Sequence, residues 1–300
     1  MQRVILRLVH KRIEGPDESV LKVTTIAGSM EYRLDVYTVG YDSLIVQNPE
    51  SPDAIIARVD RIGFADKPWT QYCRWHSGPL WERDDPSKRI YCTAAADGYC
   101  RQHRRSERAL YEACVSLPGD RGLSACRILD SIGRTEYAVY ITDGAAGGAK
   151  VGMTRLFRVV DRVAEQPHNV ATIVYVVDSA YLARKAEISI SKSGVASERR
   201  ARSRRRLRGA AEAAAIVSGA AEKASRLLGT SWDGRLFRVT SPVERIVRGA
   251  REAGDSLRPG EYRILGYWGG YLALHGPMGP VVVGDRRIAH RDSIILYEGI

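Results

Sequence analysis

EYAVYITDGAAGGAKVGMTRLFRVVDRVAEQ, from Glu136 to Gln166, is the stretch whose reading decides the fold of this chain. Its β-branched and aromatic residues predict a hairpin that ends in Lys150-Val-Gly-Met-Thr154, and a helix with an inward-looking arginine, Arg162, follows. About twenty residues further on, YLARKAEISI reads as a second helix and carries Glu187. Residues 131–195 therefore alternate strand and helix, which makes them an α/β unit.

The sequence on either side divides into further modules. Residues 1–66 give period-2 runs (VILRLVHKRI, SVLKVTTI, EYRLDVYTV, SLIVQ, AIIARVDRI), with GPDE and NPESPD as turn material. They predict a small antiparallel β unit. Residues 67–130 lose periodicity and gain tryptophan, cysteine and histidine, so this segment needs a staple. Residues 196–230 form an arginine- and alanine-rich helical arm, with Gly209 and Gly219 as weak points. Residues 231–300 return to short strands with Gly/Pro turns, a C-terminal β barrel or sandwich. The fold class expected is α+β, built from several small modules.

The staple suggested by the sequence is metal. Cys73, Cys92, Cys100 and His103 form C-x18-C-x7-C-x2-H, and Asp97-Gly98 supplies the tight turn before the Cys100-x2-His103 knuckle. Zinc takes four tetrahedral nitrogen or sulfur ligands, so a single structural zinc fits these residues. His76 is an alternative ligand, because Cys73-x2-His76 makes a second knuckle. Cys114 and Cys126 fall outside the cluster and are read as core residues, with a disulfide or a partial second site as alternatives.

Net charge is +11 and the pI about 9.5, which calls for a polyanionic partner. Eight of the 46 basic residues are lysine and the rest arginine, the residue that grips phosphate with a planar fork. Seven fall between positions 199 and 208: Arg199, Arg200, Arg202, Arg204, Arg205, Arg206 and Arg208. They wrap every face of a helix and repel one another, so the arm is expected to order against phosphates. No RRM, KH or helix-turn-helix signature supports base-specific readout. Structured RNA therefore fits better than specific duplex DNA, with the ribosome as one such target. Tyr262, Tyr267, Trp268 and Tyr271 are read as core, with a base-stacking platform as the alternative. No run of 18 apolar residues crosses a membrane, and the start, MQRVILRLVHKRIEG, lacks a signal-peptide h-region. A cytoplasmic location is expected.

The order of parts from Glu136 onward resembles the GIY-YIG nuclease domain: tyrosines on a strand, a V-G-x-T strand end, an arginine on the next helix, then a glutamate. The resemblance implies Tyr137 or Tyr140, Arg162 and Glu187 as catalytic residues, with Mg²⁺ or Mn²⁺ on the glutamate. It departs from that pattern at Lys150, where the second half-motif expects tyrosine, and in the lack of an asparagine after Glu187. Over residues 70–300 the chain is similar to an archaeal and bacterial family known as domain of unknown function 2797. The similarity is carried by Cys73, Cys92, Tyr99-Cys100-x2-His103, Tyr137 to Tyr140, Lys150 to Thr154, Arg162-Val-Ala-Glu-Gln166 and Ala183-x3-Glu187. The expected function is zinc-containing nucleic-acid binding through Lys150, Arg155, Arg158, Arg162 and the arm. A metal-dependent endonuclease is the first alternative, and a protein-interaction scaffold with thermally adapted charge is the second. An Arg162–Glu187 salt bridge between helices would be a purely structural use of that pair.

Overall fold

A computed structural model describes residues 1–25, 28–78, 88–143, 148–198, 209–253 and 257–297. It is a mixed α/β structure with mostly antiparallel strands and, among the described residues, seven α-helices. No helix among them is long and apolar enough to cross a membrane. The chain divides into two compact units: residues 1–13, 39–109 and 241–300, and residues 14–38 and 110–240. Neither is continuous in sequence, so the consecutive modules expected above are not how the chain partitions. The expected metal segment is divided as well: residues 67–109 belong to the first unit and 110–130 to the second.

In the first unit the strands Arg251–Glu252, Gly279–Gly284, Tyr271–Gly276, Gly260–Trp268, Arg61–Phe64 and Arg291–Leu296 follow one another across the sheet, ending on the start of Gln2–Thr25. The strand Ala54–Ala57 pairs antiparallel with the end of Gly28–Gln47. Alternating apolar residues account for the core: Val4, Leu6, Ile62, Phe64, Leu272, Leu274, Val282 and Ile294 are buried. Tyr262, Tyr267 and Trp268 are buried there too, which makes them core side chains and not a stacking surface.

The second unit places Ala149–Arg155, Tyr137–Asp143, Ala171–Val177 and Arg235–Thr240 side by side. Arg235–Thr240 runs parallel to residues 33–38, and the other contacts in this set are antiparallel. Tyr137–Asp143 lies in the middle and is buried along its whole length. The helices Glu107–Ser116, Gly119–Ile132, Val159–Ala164, Ala180–Lys192 and Ala210–Leu228 complete the fold. Ala210–Leu228 buries Ala213, Ala214, Val217, Ala220, Ala221 and Ala224, spaced three and four apart, in the core of this unit. The alanine-rich half of the expected arm is therefore a core helix, and the helix runs through Gly219. Small side chains let it lie close to the sheet.

Two expectations are corrected locally. GPDE does not turn the chain, because Gly15 lies inside the strand Gln2–Thr25. Its φ of +106° and the 2.7 Å between a would-be Cβ and the Val36 carbonyl oxygen explain why glycine stands there. Cys114 and Cys126 are not free core thiols: both are buried, and they are joined as a disulfide linking Glu107–Ser116 to Gly119–Ile132.

Candidate metal centre and cationic cluster

Among the described residues between 70 and 106 the chain makes almost no regular structure beyond the ribbon of His76–Ser77 with Ile90–Tyr91. Backbone hydrogen bonds hold its loops in register, from Cys73 N to Ala94 O (2.9 Å), Arg74 N to Gly98 O (2.8 Å) and Cys92 N to Trp75 O (3.2 Å). The amides of His103 and Arg104 both donate to Cys100 O at 3.0 Å, which forms the knuckle. Gly98, at φ +91°, makes the turn before it.

These loops bring Cys73, Cys92, Cys100 and His103 together, with their ligand atoms all within 4.8 Å of one another. Individual separations are 3.8 Å from Cys73 Sγ to His103 Nδ1, 3.9 Å from Cys92 Sγ to Cys100 Sγ and 3.3 Å from Cys100 Sγ to His103 Nδ1. Tetrahedral bonds of about 2.3 Å to sulfur and about 2.0 Å to nitrogen put ligand atoms about 3.5–3.8 Å apart. The four residues fit a thiophilic divalent cation. Burial lowers the His103 pKa, which favours the neutral imidazole a metal needs. Trp75 stacks flat on His103, with ring centroids 4.0 Å apart and planes within 1°, and fixes the imidazole plane. His76 stands outside the group: it is buried, with Nδ1 3.2 Å from Ser77 O and its ring tilted against Tyr91.

A buried arginine that sequence reading did not single out supports both ligand loops. Arg7 donates to Cys73 O (3.0 Å), Cys92 O (2.7 Å) and Gln47 Oε1 (2.6 Å), and its guanidinium lies 5.1 Å from the Tyr91 ring centre. Loss of hydration lowers its pKa to about 10.

In the second unit, a polar cluster gathers around Tyr140. Gln166 Nε2 donates to Tyr140 Oη (2.8 Å) and to Arg162 O (2.9 Å), while Lys150 Nζ donates to Gln166 Oε1. Arg162 and Arg158 both pair with Glu165, at 2.7 and 3.6 Å. Burial works to lower the Arg162 pKa, but Tyr140, Glu165 and Tyr111 together hold it above its usual value. Burial pushes the Tyr140 phenol up, against the pull of Arg162 and Gln166. Arg155 lies over the Tyr111 ring, whose hydroxyl is 3.0 Å from Thr154 Oγ1. Tyr137, by contrast, is built into the apolar core.

Gly152 lies opposite Tyr140 on the neighbouring strand, and a Cβ there would sit 2.5 Å from its hydroxyl. Gly152→Ala is expected to destabilise this unit by about 1–3 kcal/mol through overpacking. Urea denaturation checks it, and an unchanged midpoint would show that the phenol moves aside freely.

Glu187 is 5 % exposed and is held by Arg184 on its own helix. Arg184 also reaches Glu198 at 3.2 Å, so one guanidinium lies between two carboxylates. Burial raises the Glu187 pKa to about 7 despite that partner. The alternative of an Arg162–Glu187 bridge does not arise, because each residue pairs within its own segment. The arm from Arg199 to Arg208 lies outside the described residues.

Compared with known protein families, curated proteins and solved structures, the chain matches none. Of the two sites, the first has the donor set for one structural metal. The second sets Lys150 and Arg162 beside Gln166, with Arg158 and Arg162 on Glu165 and Arg155 on the Tyr111 ring, and its glutamate is engaged internally. Arg184 was open to discovery from sequence, since Arg and Glu three apart meet on a helix. Tyr111 was not, because it precedes the expected α/β unit.

Proposed function

We propose that the chain is a zinc-containing nucleic-acid-binding protein whose partner is structured RNA, the ribosome included. In this reading the second unit is a GIY-YIG-like unit that has turned from cutting to holding. The observation that carries it is Arg184 between Glu187 and Glu198, where a nuclease would need a divalent cation. A glutamate already paired with a guanidinium, and pushed by burial toward its neutral form, is a poor metal ligand. A tyrosine whose phenol is pushed up is a poor base for activating water.

Holding phosphate needs much less. Lys150, Arg155, Arg158 and Arg162 supply charge, and Arg162 is 26 % exposed, enough to meet a phosphate oxygen. The likeness is supported by the electrostatic proximity of Tyr140, Arg162 and Glu187 within one unit. Zinc is favoured among thiophilic cations by the three-cysteine, one-histidine donor set. Structured RNA is favoured because a zinc knuckle and an arginine-rich arm grip shape and phosphate without reading bases.

The test incubates the protein with structured RNA and with plasmid DNA in Mg²⁺ or Mn²⁺. Binding without multiple-turnover cleavage is expected. Glu187→Gln is expected to bind as the parent does, and Arg162→Ala about tenfold or more weaker, the scale of one charge-assisted hydrogen bond. Cleavage that vanishes in Glu187→Gln would replace this reading with a metal-dependent endonuclease.

A further inference from the structure

Arg7 is 1 % exposed, and among the described residues no carboxylate pairs with it. Its guanidinium is spent on two cysteine carbonyls and the Gln47 side chain, all neutral acceptors. The acidic groups that face it are Tyr91, Cys92, Cys73 and Tyr72, and two of these are members of the metal cluster. A guanidinium stripped of water needs a counter-charge nearby. Among the described residues its neighbours are thiols and phenols, and none of them carries that charge.

Metal binding changes that balance. Cysteine ligates as thiolate and histidine as neutral imidazole. A divalent cation held by three thiolates and one imidazole therefore carries one net negative charge, equal and opposite to Arg7.

We propose that Arg7 is the charge partner of the metal centre, so that the site takes its cation as a monoanionic three-thiolate, one-imidazole complex. Arg7 then acts as a positioning residue. It holds the Cys73 and Cys92 loops by their carbonyls and balances the charge the ligands acquire. This rests on the zinc reading above and adds to it a residue 66 positions from the nearest ligand. It also explains why an arginine is buried on a strand where Ile5, Leu6 and Val9 are apolar core residues.

Charge can be separated from shape with three variants of the full chain. Arg7→Gln removes the charge. Arg7→Lys keeps the charge and loses the fork. Gln47→Glu keeps nearly the same shape and places a competing carboxylate on Arg7. Zinc affinity is read by competition with a chromophoric chelator, and the thiolate-to-cobalt charge-transfer band is read after loading with Co²⁺.

Arg7→Gln and Gln47→Glu are each expected to lose about 10- to 100-fold in zinc affinity, the usual effect of removing an outer partner of a metal ligand. Arg7→Lys should stay within about threefold of the parent, because the charge that outer partner supplies is kept. The cobalt band should move to longer wavelength in Arg7→Gln and stay in place in Arg7→Lys. Should Arg7→Gln fail to fold, Gln47→Glu and Arg7→Lys decide the matter. Parent-like affinity in Gln47→Glu, or a loss in Arg7→Lys as large as in Gln47→Glu, would overturn the proposal. A parent protein that binds no zinc would instead remove the zinc reading itself.

Discussion

Removing the metal is expected to release one zinc per chain and to unlock the backbone from about residue 71 to residue 104. Apart from Arg7 and single backbone hydrogen bonds such as Tyr72 N to His290 O (2.8 Å) and Tyr91 N to Pro52 O (2.9 Å), little regular structure holds the described loops there. Thr93, Ala94, Ala95 and Asp97 are exposed, and the one ribbon among the region's described residues is two residues long on each side. A structural zinc contributes an apparent 10–16 kcal/mol or so at neutral pH, as much as the whole stability of an ordinary domain, about 5–15 kcal/mol. Metal loss should therefore act locally and strongly. Amide exchange at Cys73, Arg74, Cys92 and His103, all hydrogen-bonded in the loops, should rise to the unprotected level after chelation. Amides of Tyr137–Asp143 should keep their protection, since that strand is secured by two neighbours and an apolar core. Cys100→Ser should reproduce the effect without chelator. Fewer than about 0.2 zinc per chain in protein purified without added metal would contradict the single site.

Legibility followed distance along the chain. The knuckle of Cys100 and His103 was readable because three residues and one glycine turn determine it. Cys73 and Cys92 were readable from their type in a coreless stretch, even though their spacing is irregular. The hairpin from Tyr137 to Thr154 and the helix carrying Arg162 could be read from local pattern, and they form as expected. Arg7 could not be found this way, since its partners are 66 and 85 residues off and its strand reads as an ordinary alternation. Nor could the partition of the chain, because strands Gln2–Thr25 and Gly28–Gln47 each contribute to both units. Gly15 misled for the same reason: a Gly-Pro pair signals a turn locally, and only the close Val36 carbonyl explains it within a strand. Arg184 was within reach of the sequence, three residues before Glu187 on one helix, and it takes the carboxylate that the resemblance assigns to a metal.

Replacing the seven arginines between Arg199 and Arg208 with glutamine is expected to weaken nucleic-acid binding and to flatten its salt dependence. With six to ten phosphate contacts the parent should lose about 10³- to 10⁵-fold in affinity between 50 and 200 mM salt. Each contact removed lowers the slope by about 0.7 to 0.9, so loss of all seven amounts to about five or six. Arg162→Ala, one contact, should change the slope by about one unit, which calibrates the measurement. The arm should dominate because seven like charges in ten residues have no compensating acid within the run. They repel one another in free solution and gain most when phosphates separate them. Thermal stability should hardly change, because Ala201 and Leu207 are the run's only apolar side chains. A parent and variant with equal slopes would make the run a solvated linker and move the burden of binding to Lys150, Arg155, Arg158 and Arg162. An equal loss for duplex DNA and structured RNA would make the arm a phosphate grip that does not itself favour RNA.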